Sequence, residues 1–238
     1  LSRIVRDHAA DTFGGTVPML FEARTASAAG AALAAGMTID ALDGHDGYNP
    51  AKGHVGCGLF PGALALAAEA GLDDGRAFAG VVALGYELGA RLGAARHATA
   101  PDYHSSGAWV AVAVAAAGAR MLGLDAAATA HAMGIAEYHG PRSQMMRVID
   151  HPTMLKDGSG WGAMAGVSAA LLARAGFTGA PALTVEGAGA APFWADLGAR
   201  WLILEQYFKP FPVCRWAQAP VEAVLALRRA NGLIASLK

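Results

Sequence analysis

The sequence predicts a mainly α-helical protein, and three observations predict it. Alanine-rich apolar stretches recur through the first 175 residues, and alanine has the strongest helix propensity of any residue. Turn signals that stop one helix and start the next separate these stretches. No apolar/polar alternation with a period of two occurs before about residue 200.

Helices are expected at 26–37, 61–71, 76–93, 107–122, 125–137 and 161–175. Gly71-Leu72-Asp73-Asp74-Gly75 ends one helix and caps the next. Leu122-Gly123-Leu124-Asp125 repeats the device, with Asp125 as N-cap. Gly176 to Pro181 closes the helix that runs through Ala175. Small residues let these helices approach closely, which suits segments without a polar face. Past residue 200 the texture changes. Trp201 to Phe208 carries β-branched and aromatic weight and is broken by Lys209-Pro210-Phe211-Pro212. Val221 to Asn231 reads as a last helix. The expected organisation is a large all-helical domain over 1–200 and the beginning of a smaller α+β lid over 201–238.

The chain has 238 residues, 54% of them hydrophobic, and a mean hydropathy of +0.34. A sizeable core is therefore expected. Its net charge of −1 argues against a nucleic-acid surface and against a basic membrane patch. The longest apolar run, Gly107 to Ala119, is about thirteen residues and too short to span a bilayer. The first residues hold no apolar core of the kind a secretory signal needs. Cys57 and Cys214 lack metal-binding spacing and are expected to be buried thiols in a reducing, cytoplasmic setting.

Only 16% of the chain is charged, yet three acids (Asp40, Asp43, Asp46), two histidines (His45, His54) and Lys52 fall within fifteen residues. An apolar helix follows. Titratable groups packed into a glycine-rich loop ahead of a helix are the pattern of an acid/base site. His104 precedes the helix at 107–122, where helix N–H groups depress an imidazole pKa and leave a neutral base. Lys156 stands at a glycine-flanked turn before another helix, placed to hold a carboxylate. Arg142, Lys209 and Arg215 are further candidates for substrate contact. His45 and His54 form no HxxxH or HxH pair, so no metal is expected.

In order, these motifs are an Asp-rich loop with a distal His, Tyr103-His104-Ser105-Ser106-Gly107, Lys156 before a Gly/Ala helix ending Ala175-Gly176-Phe177-Thr178-Gly179-Ala180-Pro181, and Phe208-Lys209-Pro210-Phe211-Pro212-Val213-Cys214-Arg215. Together they resemble the MmgE/PrpD family, which includes 2-methylcitrate dehydratase, cis-aconitate decarboxylase and iminodisuccinate epimerase. The resemblance spans about residues 26–230. It implies a helical domain with an α+β lid, a homodimer, no cofactor and no metal. Family chains are roughly twice this length, so this one resembles a partial copy.

By resemblance, Asp40, His54, His104 and Lys156 are catalytic. Asp43, Arg142, Lys209 and Arg215 would bind substrate. His45 and Lys52, where the chain departs from the pattern, would tune specificity. Gln218, also expected among the substrate-binding residues, stands where a histidine is common, which disfavours decarboxylation. The implied activity is a lyase or isomerase that removes the proton α to a carboxylate of a small di- or tricarboxylate, as 2-methylcitrate dehydratase does. An epimerase of the iminodisuccinate type and a non-catalytic carboxylate-binding or merely dimerising paralogue are the alternatives. Neither nucleic acid nor membrane is an expected partner.

Overall fold

The structure, a computed structural model, describes residues 1–232. In chain order the elements are α1 (Ser2–Thr12), β1 (Val17–Pro18), β2 (Thr25–Ala26), α2 (Ala28–Leu42), β3 (Asp46–Gly47), α3 (Gly56–Ala70), α4 (Gly75–Thr99), α5 (Gly107–Met121), α6 (Ala126–His139), α7 (Met146–Asp150), α8 (Ser159–Arg174), α9 (Leu183–Glu186), β4 (Tyr207–Phe208) and α10 (Gln218–Ala230). Short 3₁₀ turns lie at Asn49–Ala51, Ala188–Phe193, Leu202–Glu205 and Arg215–Ala217. The mainly α class expected from composition holds.

The expected helix signals act as read. Asp74 accepts the N–H groups of Arg76 and Ala77 at the start of α4, and Asp125 accepts that of Ala128 at the start of α6. Gly71 ends α3 in the left-handed region, at φ 66°. Helix α5 forms the centre of the bundle, with every residue from Gly107 to Ala119 buried. It packs on α3, α4, α6 and α8. Glycine sets how near α8 comes to its neighbours. A Cβ on Gly36 of α2 would stand 2.6 Å from the Gly160 Cα, and one on Gly162 would stand 2.7 Å from the Gly107 Cα. Backbone therefore meets backbone, and the N-terminal end of α8 is drawn against α2 and α5.

A buried ion pair ties the segment after α9 to the bundle. Arg91 donates from Nε to Glu87 at 2.9 Å, from Nη1 to the Phe193 carbonyl at 2.7 Å and from Nη2 to the Arg200 carbonyl at 2.8 Å. Glu87 also accepts the Ile203 N–H at 3.2 Å. Both side chains are 1% exposed, and these extra bonds offset the desolvation of the pair.

Three expectations need correction. The strand expected over 201–208 is a 3₁₀ turn at Leu202–Glu205 followed by only two strand residues. Those residues pair antiparallel with β3, Asp46 opposite Phe208 and Gly47 opposite Tyr207. Strand pairs also occur earlier than expected, as β1 with β2. Cys214 is exposed, whereas Cys57 is buried as expected. Among the described residues, no helix is long and apolar enough to cross a membrane.

Candidate active site

The N-termini of α3, α5 and α8 converge, and each is met by an acid from elsewhere in the chain. Asp46 accepts the N–H groups of Val55 (3.2 Å) and Gly56 (3.0 Å) at α3. Asp157 Oδ1 accepts the Ser106 N–H at α5, at 3.1 Å. Asp40 accepts both the N–H (3.1 Å) and the hydroxyl (2.8 Å) of Ser159 at α8. Three positive helix ends facing one region favour negative charge there and disfavour protonation of nearby imidazoles.

His45 lies inside this cluster between two carboxylates. Its Nε2 donates to Asp40 Oδ1 at 3.0 Å, and its Nδ1 is in ion-pair contact with Asp43 Oδ1 at 3.1 Å. Burial opposes its charge, but the two carboxylates win and raise its pKa from 6.5 to about 9. Asp43 is correspondingly held well below the usual carboxylate range; burial works against this, and His45 and Lys209 outweigh it. Lys209 Nζ donates to Asp43 Oδ2 at 2.8 Å and to the Val213 carbonyl at 3.0 Å.

His54 stacks on this cation, ring centroids 4.4 Å apart and tilted by 30°. Its Nδ1 donates to the main-chain carbonyl of Asp46, which can only accept. In the neutral ring, Nε2 is therefore the bare, basic nitrogen. Burial lowers the His54 pKa, and the His45 charge lowers it further. Asp157 moves the other way: burial raises its pKa, and Asp40 adds to the rise. Its Oδ2 is buried without a hydrogen-bond partner. Burial thus favours the uncharged form of both groups, which lie in one electrostatic unit, while each group's charge favours the other's charged form.

These groups face a cavity of about 780 Å³, within the range of small-molecule sites. Asp43, His45, Lys52, His54, Lys156 and Arg215 line it, together with Asp157, Tyr103 and Tyr207. Asp40 stands behind the lining, bonded to His45. Arg215 rests over the Tyr207 ring at 5.1 Å. Lys52, Lys156 and Arg215 are exposed and make no ion pair among the described residues.

Besides Asp40, four expected site residues do not line this cavity. His104 forms a bridge with Gln144 while Tyr103, one residue earlier, lines the cavity. Successive side chains of extended backbone point to opposite sides, which turns His104 away. Arg142 is exposed and outside the lining. The Lys209 side chain is only 1% exposed, spent on Asp43. Gln218 uses its amide to hold the turn below the cavity, donating to the Phe211 and Val213 carbonyls and accepting the Phe211 N–H. Sequence reading assigned nothing to Asp157, whose signal was its place beside Lys156 at a helix start.

Among the described residues, Asp40, His45 and Cys57 bring ligand atoms within 4.8 Å of one another and are the group that could hold a metal ion. They come from α2, a loop and α3, so sequence spacing does not reveal them. Ser159 Oγ bonds Asp40 and lies 2.9 Å from the Cys57 sulfur. Burial, then the nearby carboxylates, pushes the Cys57 thiol well up. A metal would have to displace that proton and the His45–Asp40 bond.

The His45 shift makes stability depend on pH. A raised pKa means the stabilisation is complete below the unfolded value of about 6.5 and is lost as pH rises through about 9. Thermal unfolding should therefore show falling stability between about pH 6.5 and 9.5, by on the order of 2–3 kcal/mol, and His45→Gln should flatten that slope. An unchanged slope in the variant would contradict the assignment.

Fold and site thus define a helical protein with a carboxylate–histidine cluster walling a cation-rimmed cavity. The MmgE/PrpD N-terminal domain matches residues 2–196, and the chain belongs to the MmgE/PrpD family. Comparison with curated proteins returns no match.

Proposed function

We propose that this chain is the acid/base part of a lyase or isomerase acting on a small di- or tricarboxylate. The carrying observation is the cavity itself, where a neutral imidazole with a bare Nε2 faces three cations that make no ion pair among the described residues. In this reading Lys52, Lys156 and Arg215 hold the substrate carboxylates. His54 Nε2 takes the proton α to one of them, and the electron pair moves into that carboxylate. The cations and the converging helix N-termini stabilise the resulting enediolate. Asp157, whose pKa burial raises, gives a proton to a leaving β-hydroxyl, which departs as water. Reprotonation of the carbon on its other face would give epimerisation instead. Dehydration of the 2-methylcitrate type is the first reading and iminodisuccinate-type epimerisation the alternative. His104 takes no step here, because its ring is turned away.

Incubation with succinate-, malate- and citrate-type acids in D₂O tests this. The α-proton signal of at least one acid should disappear by NMR. Lys156→Gln should weaken its apparent affinity about tenfold, the worth of a charge-assisted hydrogen bond. Saturable binding without exchange for any acid would favour the non-catalytic alternative.

Family membership also supports a homodimer and a lid beginning at 201–238. Trp161 and Leu172, 49% and 41% exposed on one face of α8, offer apolar surface that a second copy would cover. Light scattering should return twice the chain mass; a monomer mass would contradict the dimer.

A further inference from the structure

Asp40 of α2, His45 of the loop before β3 and Cys57 of α3 are all buried. They offer one oxygen, one nitrogen and one sulfur within 4.8 Å of one another. Bonds of about 2.0–2.3 Å in a tetrahedral shell put neighbouring zinc ligands roughly 3.3–3.6 Å apart. His45 Nε2 and Asp40 Oδ1 are already 3.0 Å apart. Side-chain shifts of about an ångström would therefore bring all three atoms onto one ion. The groups behind them complete the pattern. A metal-bound imidazole normally gives its other ring nitrogen to a carboxylate, which fixes the ring. His45 Nδ1 is in ion-pair contact with Asp43 Oδ1 at 3.1 Å, and Lys209 holds the other Asp43 oxygen at 2.8 Å. Ser159 Oγ lies 2.8 Å from Asp40 and 2.9 Å from the Cys57 sulfur, one hydroxyl against two of the three ligands. The acid/base reading uses neither Cys57 nor its contact with Ser159.

We propose that Asp40, His45 and Cys57 bind one thiophilic divalent ion of the zinc class. The donor set selects against calcium and magnesium, which prefer shells of oxygen. A carboxylate, an imidazole and a thiolate suit zinc or cobalt. Three protein ligands leave a fourth position for water. On binding, bonds form from the ion to an Asp40 oxygen, to His45 Nε2 and to the Cys57 sulfur. The Nε2–H and S–H bonds break, both protons leave to solvent, and no group changes oxidation state. The ion enters through the cavity, which His45 lines. The proposal rests on this cluster and not on the catalytic reading.

Cobalt titration of the Cys214→Ala protein tests it. The chain has two cysteines and Cys214 is exposed, so this variant keeps the core intact and leaves Cys57 as its one thiol. Cobalt should raise the intense near-ultraviolet band of a thiolate-bound ion, saturating at one ion per chain. Zinc should abolish the band by displacement, and magnesium should leave it unchanged. His45→Gln in the same background should weaken cobalt binding at least about tenfold, since even the loss of a group supporting a metal ligand costs that much. X-ray absorption of the zinc-loaded Cys214→Ala protein gives a second reading that needs no change in the core. It should show one sulfur at about 2.3 Å and otherwise nitrogen and oxygen. Absence of the thiolate band, a band undiminished in His45→Gln, or a zinc shell without sulfur would each overturn the proposal. None of these readouts depends on turnover, so they stand or fall apart from the proton-exchange test.

Discussion

Replacing His54 with asparagine is expected to lower kcat by about 10²–10⁴-fold, the usual worth of a positioned general base. Asparagine can keep the donor that bonds the Asp46 carbonyl, so the loop stays in place. What it lacks is the basic Nε2. KM should remain within about threefold, since the cations that hold the substrate are untouched. Steady-state kinetics on whichever acid undergoes exchange supplies the check. An enzyme that keeps more than a third of its kcat has its base elsewhere, and the role assigned to His54 would be wrong.

Replacing Asp40 with alanine is expected to destabilise the fold by about 3–5 kcal/mol, the cost of breaking a buried ion pair by removing one partner. The change strands three donors at once: the His45 Nε2–H, the Ser159 N–H and the Ser159 hydroxyl. All three lie in a site where Asp40 and Ser159 are fully buried. It also uncaps α8, the helix held closest to α2 and α5. Urea unfolding should show the loss as a lower midpoint at unchanged slope. Lys52→Ala, at an exposed position, should stay within about 0.5 kcal/mol of the parent. Equal stability of the two variants would mean that the cluster does not hold the fold together.

The helices were legible because alanine is abundant and the caps are unambiguous: Asp74, Asp125 and Gly71 act where they were read. Helix α1 was missed because it is charged and not alanine-rich, burying only Ala9 fully. The two-residue strands are too short to leave a period of two. Asp40, Asp43, His45 and His54 stood out because charge is scarce elsewhere, and the structure gathers them into one cluster. Which histidine bonds which acid was not legible. The family pattern singled out His54, yet Asp40 and Asp43 grip His45 and leave His54 to a backbone carbonyl. The orientation of His104 depends on pairing with Gln144, forty residues onward, and nothing local announces it. Asp157 reads in sequence as an ordinary acid before a helix. Only its burial between the starts of α5 and α8 changes its chemistry.

The central claim is electrostatic: a cationic His45, held by two carboxylates, lies against a neutral His54 whose bare nitrogen is Nε2. Histidine ring ¹⁵N spectra near pH 7 test it most directly, with the two residues assigned by single substitution. The account predicts the doubly protonated pattern for His45 and the neutral Nδ1–H tautomer for His54. An imidazolium at His54, or a neutral His45, would contradict it.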